Sequence, residues 1–320
     1  MTGPPDGDAV AAAAAVLGDR ARRDVPLGPF TTYGVGGPAA LLLEGCGPEE
    51  LALASRAVAA SGVPVLVVGR GSNLLVSDRG FPGLALTLGE FFAAIHRHPE
   101  GSDTEGVRAG GGVSLPVLAR RTAALGLRGL EWGVGVPGSV GGAVRMNAGG
   151  HGADVRATLT RAWLWDLGAT SEEGAAEVEA ADLGLAYRHS AITPLQVVVA
   201  AEFALRPGDP AEAEAEISSV VRWRREHQPG GSNAGSVFAN PEGDSAGRLI
   251  DAAGLTGHRR GSAFVSRKHA NFVQVDEGGS ADDVRALMEE VRTTVERRFG
   301  VVLQLENRLV GFDPSPSSRG

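Results

Sequence analysis

Five segments of this 320-residue chain carry residue types that can do chemistry. The first is Gly69-Arg70-Gly71-Ser72-Asn73-Leu74, which follows an apolar run of strand type. Glycines let backbone N–H groups approach a pyrophosphate closely, and a small polar Ser-Asn pair suits phosphate oxygens. It is not a dinucleotide fingerprint, because its sixth position is Leu74 and the residues that follow have no helical period. A tight turn without a ligand is the other reading of this segment taken alone. The second segment, residues 133–152, holds eight glycines. Each costs about 0.5–1 kcal/mol relative to alanine where the chain is regular, so close approach of backbone to a flat or anionic ligand is expected, against a glycine-rich surface loop.

The third segment is Tyr187-Arg188-His189-Ser190, where Arg188 is suited to bidentate recognition of a carboxylate or phosphate, or is a solvated side chain. The fourth runs from Gly230 to Phe238 without a Gly-x-Ser-x-Gly elbow, so Ser236 either donates a proton or closes a turn. The fifth is the end of the chain, where a strand period of two would put Glu306 on one face with Gln304 and Arg308, and an ion pair with Arg308 is the plain alternative. The seven histidines show no metal-ligand spacing, and no metal site is expected.

The sequence reads as an α+β chain in blocks. A loose start and a short helix over 9–21 precede a strand 39–44, a helix 48–60 and a strand 63–68 that runs into Gly69. The second block has strands near Val107, over 162–167 and over 195–205, with a helix 115–125. A third block reads helix 211–227, helix 244–253, paired strands around 263–276, helix 280–299 and a strand 301–312. The helix 280–299 carries the clearest signals: a Ser280/Asp283 capping-box pair, the stripe Val284, Leu287, Met288, Val291, Val295, and Gly300 at its end. The last eight residues cannot bury apolar area and are expected to be disordered. The expected division is an N-terminal extension 1–22, subdomains 23–88 and 89–208, a third domain 209–312 and a tail 313–320. A cofactor wrapped by 69–73 and 133–152 would lie between the first two subdomains.

Composition bounds the function. Glycine and proline make a fifth of the chain, with 43% hydrophobic and 21% charged residues, so a core can form and collagen, coiled coil and general disorder are excluded. A net charge of −8 disfavours nucleic acid and anionic membranes as partners. Cys46 is the single cysteine, which excludes an intrachain disulfide, and no apolar run reaches the ~20 residues of a membrane span. A cytoplasmic protein is expected.

The order of the motifs is more specific than any one of them. Thr31-Thr32-Tyr33-Gly34-Val35-Gly36-Gly37, Gly-Arg-Gly-Ser-Asn-Leu-Leu-Val at 69–76, Gly-Leu-Glu-Trp-Gly-Val-Gly-Val-Pro-Gly-Ser-Val-Gly-Gly-Ala-Val-Arg-Met-Asn-Ala-Gly at 129–149, Tyr-Arg-His-Ser at 187–190, Asn-Ala-Gly-Ser-Val-Phe-Ala-Asn-Pro at 233–241 and Leu-Glu-Asn-Arg at 305–308 closely resemble the UDP-N-acetylenolpyruvoylglucosamine reductase family. The resemblance covers roughly 24–312.

It implies a two-subdomain FAD-binding fold of the vanillyl-alcohol-oxidase type followed by an α/β substrate domain. It also implies non-covalent FAD, NADPH as electron donor, a UDP-linked amino sugar as substrate and a role in peptidoglycan synthesis; separately, a monomer is expected. His151 is the one histidine in the glycine segments that could tether a flavin, and the family does not use a tether. Carried over by motif, the catalytic residues are Arg188, Ser236 and Glu306. Cofactor contacts fall on Gly69, Gly71, Ser72, Asn73, Pro137, Gly138, Ser139, Gly142, Asn147 and Gly149, and substrate contacts on Tyr187, Asn240 and Arg248. The chain departs from the family at Thr31, Tyr33, Gly150 and His151. It lacks the inserted tyrosine loop of some members, and His227 stands where many relatives have lysine, leaving Arg224, Arg248 or Lys268 for the UDP phosphates. An FAD oxidase of the same fold, or an inactive nucleotide-binding module, are the rival readings.

Overall fold

The computed structural model describes residues 7–97, 105–169 and 174–313. They divide into two compact units: Met1–Arg23, Leu41–Arg70 and Gly83–Glu226 form the first, and Asp24–Ala40, Gly71–Pro82 and His227–Gly320 the second. The expected tail from 314 onward lies outside the described residues.

The first unit is built around two sheets. One has, within this unit, the strand order 41–46, 83–88, Val65–Val67, and its last pair is parallel, with Val65 opposite Leu84. Helices α1 (Gly7–Leu17) and α2 (Pro48–Ser61) cover it through Ala13, Ala14, Leu17, Leu51, Ala54 and Val58, which join Leu41, Leu43, Leu84 and Leu86 in one apolar cluster. The expected helix 9–21 ends at Leu17, where a 3₁₀ turn over Gly18–Arg20 takes over.

The second sheet is antiparallel throughout: Ala176–Glu179, Leu159–Asp166, Gln196–Ala204, Gly106–Gly110, Ile95–Arg97. Helices α3 (Leu115–Ala124) and α4 (Val140–Arg145) bury Leu115, Leu118, Val140 and Val144 among Val107, Ala162, Ala201 and Phe203. Helix α5 (Pro210–His227) sets Ala213, Ile217 and Val220 on Ala119, Ala123 and Val134, and its Glu212 and Glu216 pair with Arg128 at 3.1 and 2.6 Å. By its contacts, most of the helix placed at the start of the third block belongs to the first unit.

In the second unit, α6 (Ala246–Ala252), α7 (Ala281–Phe299) and an antiparallel sheet of Arg259–Arg260, Ala263–Val265 and Val273–Val275 enclose a core with Tyr33, Leu75, Val237 and Phe238. The five stripe residues of α7 are all at most 1% exposed. Its capping is only half the expected box. Ser280 Oγ accepts from Asp283 N at 3.2 Å, but the Asp283 carboxylate is taken by Ser262 N and Oγ, each at 2.8 Å. Asp78 supplies the missing anion, accepting from Ser280 Oγ, Ala281 N and Asp282 N. The expected strand 301–312 is regular only over Arg308–Val310, which pairs in parallel with Leu74–Val76. Before it the chain changes partner: Gln304 O accepts from Ala239 N, and Glu306 N donates to Val237 O. The period-two placement of Gln304, Glu306 and Arg308 on one face therefore does not hold.

Candidate active site

Residues 69–73 link the strand Val65–Val67 to Leu74–Val76, and the division between the units falls after Arg70. Among the described residues, the backbone N–H groups of Gly69, Arg70, Gly71, Ser72 and Asn73 donate to no protein acceptor. Within the second unit, the three successive free donors of 71–73 are available to an anion. Gly71 has φ +61°, and a Cβ there would lie 2.0 Å from Phe30 O, so it is the chain's own backbone that demands glycine. Gly71 O accepts from Thr32 N and Leu74 N, and the Thr32 hydroxyl is buried without a partner.

Within the first unit, Gly69 meets the second glycine segment: a Cβ there would lie 2.5 Å from Ser139 Oγ. Ser139 caps α4 by accepting from Gly142 N at 3.2 Å, Gly138 is buried, and Pro137 is exposed. Part of this segment's glycine serves packing. A Cβ on Gly141 would reach Val198 O at 2.9 Å, and one on Gly149 would reach Ala153 O at 2.7 Å, whereas Gly150 faces open space. That corrects the expectation that ligand approach accounts for the glycines as a group. Asn147, with φ +40° and 1% exposed, spends its amide inside the protein, donating to Asp154 Oδ2 and Ala186 O and accepting from Arg156 N. It fastens the 145–156 loop to the turn that carries Arg188.

That turn runs from Ala186 to His189, whose backbones exchange two hydrogen bonds at 3.1 Å. Arg188 sits at φ +55°, a conformation that costs a non-glycine residue about 1–3 kcal/mol and is found where a side chain must be aimed. Its Nη2 donates to Gly149 O at 3.0 Å, and its guanidinium lies 5.0 Å from the ring centroid of exposed Tyr187. Ser190 Oγ donates to Arg145 O, which ties the turn to the end of α4.

In the second unit, Ser236 and Glu306 are brought together through their backbones. Glu306 N donates to Val237 O at 2.8 Å, and Phe238 and Leu305 form a bridge. Asn73 Nδ2 donates to Glu306 O at 3.1 Å, so the anion loop touches the same segment. Ser236 lines a polar cavity of about 500 Å³ with Asn240, Arg248, Lys268, His269 and Asn271. Arg248 is held by Asp244, whose carboxyl it pulls down to about 2, and Asn240 Oδ1 accepts from Ala246 N. Burial holds the His269 pKa below its ordinary value, and Asn271 N donates to His269 Nδ1, leaving Nε2 to carry the proton.

Sequence reasoning offered Arg308 only as an ion-pair partner of Glu306. Arg308 pairs with Leu74 across the parallel ladder, its N donating to Asn73 O at 2.9 Å, yet its half-buried guanidinium has no hydrogen bond or ion pair among the described residues. The Glu306–Arg308 ion pair offered as the plain alternative is therefore not formed. A partly desolvated cation without a partner favours an anion. Within the second unit, the free N–H groups of 71–73, the uncompensated Arg308 guanidinium and the orphaned Thr32 hydroxyl are groups of the kind that a phosphate takes. Among the described residues no group of side chains is placed to hold a metal ion, and no helix is long and apolar enough to cross a membrane.

Comparison with known proteins bears on what this site serves. A protein from Symbiobacterium thermophilum named UDP-N-acetylenolpyruvoylglucosamine reductase 2 is 43% identical over 92% of this chain and 94% of its own length. The chain belongs to the UDP-N-acetylenolpyruvoylglucosamine reductase family. The reductase of an Anaeromyxobacter species is 41% identical over 97% of this chain and 95% of its own. The crystal structure of UDP-N-acetylenolpyruvylglucosamine reductase from Thermus caldophilus matches with a TM-score of 0.76 at 35% identity, covering 91% of this chain and 99% of that one. The model of an FAD binding domain matches residues 42–166, and that of the C-terminal domain of UDP-N-acetylenolpyruvoylglucosamine reductase matches 227–310. The family's C-terminal domain thus contains Ser236, Glu306 and Arg308, and its FAD domain contains Gly69 and the 133–152 segment.

Proposed function

We propose that this chain is an FAD-dependent reductase that converts UDP-N-acetylglucosamine enolpyruvate to UDP-N-acetylmuramate with NADPH as electron donor, in the synthesis of peptidoglycan precursors. The observation that carries this reading is the hydrogen-bonded adjacency of the Ser236 and Glu306 segments with the anion loop at Asn73, in a chain of this family. Bound FAD supplies the two-electron transfer from NADPH to the enolpyruvyl double bond. It is held non-covalently, its pyrophosphate on the N–H groups of 69–73 with Ser72, Asn73 and Arg308, and Pro137, Gly138, Ser139, Gly142, Asn147 and Gly149 shape the rest of the cradle.

The residues of the chain manage charge and proton. Reduction drives negative charge onto the substrate carboxylate, and Arg188, aimed by its strained turn, balances it. Ser236 delivers a proton to the carbon beside that carboxylate. A serine hydroxyl is a weak acid, so its placement must be tight. Glu306 completes the catalytic set, and Tyr187, Asn240 and Arg248 hold the UDP-sugar, with Lys268 a further cation in the same cavity. The division into an extension 1–22, subdomains 23–88 and 89–208, and a substrate domain 209–312 belongs to the same reading, as do a monomeric state and a cytoplasmic location.

The test is direct. The purified protein should be yellow, bleach with NADPH under anaerobic conditions, and regain colour on addition of the enolpyruvyl substrate, giving a product two hydrogens heavier. Colour that returns with oxygen but not with that substrate would point to an oxidase and overturn the proposal.

A further inference from the structure

Ser236 sits on a five-residue segment, 234–238, whose backbone is fastened on both sides by buried asparagines. On one side Asn271, 3% exposed, accepts from Phe238 N at 3.0 Å and donates to Phe238 O at 2.8 Å through its side chain, while its carbonyl accepts from Val237 N at 2.9 Å. On the other side Asn307, 4% exposed, donates Nδ2 to Ala234 O at 3.0 Å and to Ser236 O at 3.3 Å. The same amide donates to Asn73 Oδ1 at 3.0 Å, and Tyr33 Oη donates to its Oδ1 at 3.4 Å. The acceptors around Nδ2 and the phenol at Oδ1 allow this amide one orientation. Tyr33 is 1% exposed, and burial raises its pKa, so its hydroxyl keeps its proton. Ser236 itself lines the polar cavity.

We propose that Asn307 is a positioning residue for the reduction: its side-chain amide ties the Ser236 segment to the loop at Asn73 and so fixes the serine hydroxyl against the group that the loop holds. The inference rests on the reading of Ser236 as proton donor. Asn307 is 4% exposed, and its amide is spent on protein groups. It acts through Ser236 and Asn73, and Asn271 is the second fastener. A weak acid transfers a proton usefully only from a narrow range of positions, and a displacement of about 1 Å can cost on the order of 100-fold in rate.

The experiment uses the FAD-loaded enzyme in stopped flow, with reduction by NADPH and reoxidation by the enolpyruvyl substrate followed separately. Asn307→Leu keeps the side-chain volume and removes the donors. Tyr33→Phe removes only the hydroxyl that orients the amide, and serves if the first variant folds poorly. Asn307→Leu should leave flavin reduction within about 2-fold of wild type and slow reoxidation about 30-fold or more, with a larger solvent deuterium isotope effect, and Tyr33→Phe should shift both readouts the same way by less. In a Ser236→Ala background, Asn307→Leu should add less than about 3-fold, because the group it positions is gone. Wild-type reoxidation in both Asn307→Leu and Tyr33→Phe overturns the inference, and so does an equal slowing with and without Ser236. Wild-type reoxidation in Ser236→Ala alone would instead remove the serine reading, and the inference with it.

Discussion

Gly71→Ala offers the sharpest test of how the anion loop is built. The added methyl would lie 2.0 Å from Phe30 O and 2.5 Å from Thr31 Cα, whereas carbon and oxygen normally approach to ~3.3 Å. Both neighbours are backbone, so neither can rotate away, and the loop must move by about 1 Å. At φ +61° the left-handed conformation itself costs an L-residue roughly 1–2 kcal/mol. Displacement also weakens the bonds from Thr32 N and Leu74 N to Gly71 O, each worth about 1 kcal/mol. The sum, about 3–4 kcal/mol, corresponds to a fall in Tm of roughly 10 °C for a chain of this size. Loss of even one charge-assisted contact to the pyrophosphate should weaken FAD binding about 10-fold or more.

The comparison variants set the scale. Gly69→Ala meets a single hydroxyl, Ser139 Oγ, which can rotate at the expense of one helix cap worth ~1 kcal/mol. Gly150→Ala faces open space and should behave as wild type. FAD content per chain after gel filtration, and thermal melting with and without added FAD, read the series. A Gly71→Ala protein that melts with wild type and retains full FAD would refute the reasoning, since the contact with Phe30 would then have cost nothing.

Arg308→Gln should weaken FAD binding about 10-fold while raising the melting temperature of the apoprotein, because it removes an uncompensated, half-buried charge; lower apoprotein stability would show that the guanidinium has a structural partner. Ser236→Ala should leave flavin reduction by NADPH nearly intact and slow reoxidation by the enolpyruvyl substrate about 100-fold, with equal rates in stopped flow counting against the proton-donor role. For His269 the folded pKa lies below that of the unfolded chain because of burial, with His227 adding to the effect. The unfolded state therefore binds more protons between the two values, and urea midpoints should fall as the pH drops below about 6.5. His269→Gln should flatten that slope, and an unchanged slope would assign it elsewhere. Acid precipitation should leave the flavin in the supernatant; colour in the pellet would mean a covalent tether.

Much of this arrangement was legible in the sequence because it rests on local rules. Helix α7 announced itself by a stripe of period 3.6 and by Gly300, which ends it at φ +70° with its N–H on Glu296 O at 2.7 Å. The glycine at 71 was legible as a requirement, but its cause was not: the sequence suggests a ligand pressing on the loop, and the structure has the carbonyl of Phe30 pressing on it, forty-one positions earlier in the chain. The failures are all non-local. Alternation over 301–312 looks like one strand, yet 304–306 bond to 237–239 and Arg308 bonds to Asn73, and no periodicity can report that a chain changes partner between one residue and the next. The helix cap shows the same limit, since Asp283 had the right spacing for Ser280 and was drawn off by Ser262, with Asp78 taking its place.

Asn307 and Arg308 lie inside Leu-Glu-Asn-Arg, where the sequence offers Arg308 only an ion pair with Glu306 and gives Asn307 no role of its own. Their meaning depends on what surrounds them. Asn307 matters because the carbonyls of Ala234 and Ser236 and the amide of Asn73 converge on it, and Arg308 because nothing in the described chain converges on it. One is a fully satisfied buried amide, which rigidifies what it touches. The other is a half-buried charge without a protein partner among the described residues, which is a cost to the folded chain. Adjacent along the chain, the two are opposite in hydrogen-bond balance: the Asn307 amide is spent on protein groups, and the Arg308 guanidinium on none among the described residues.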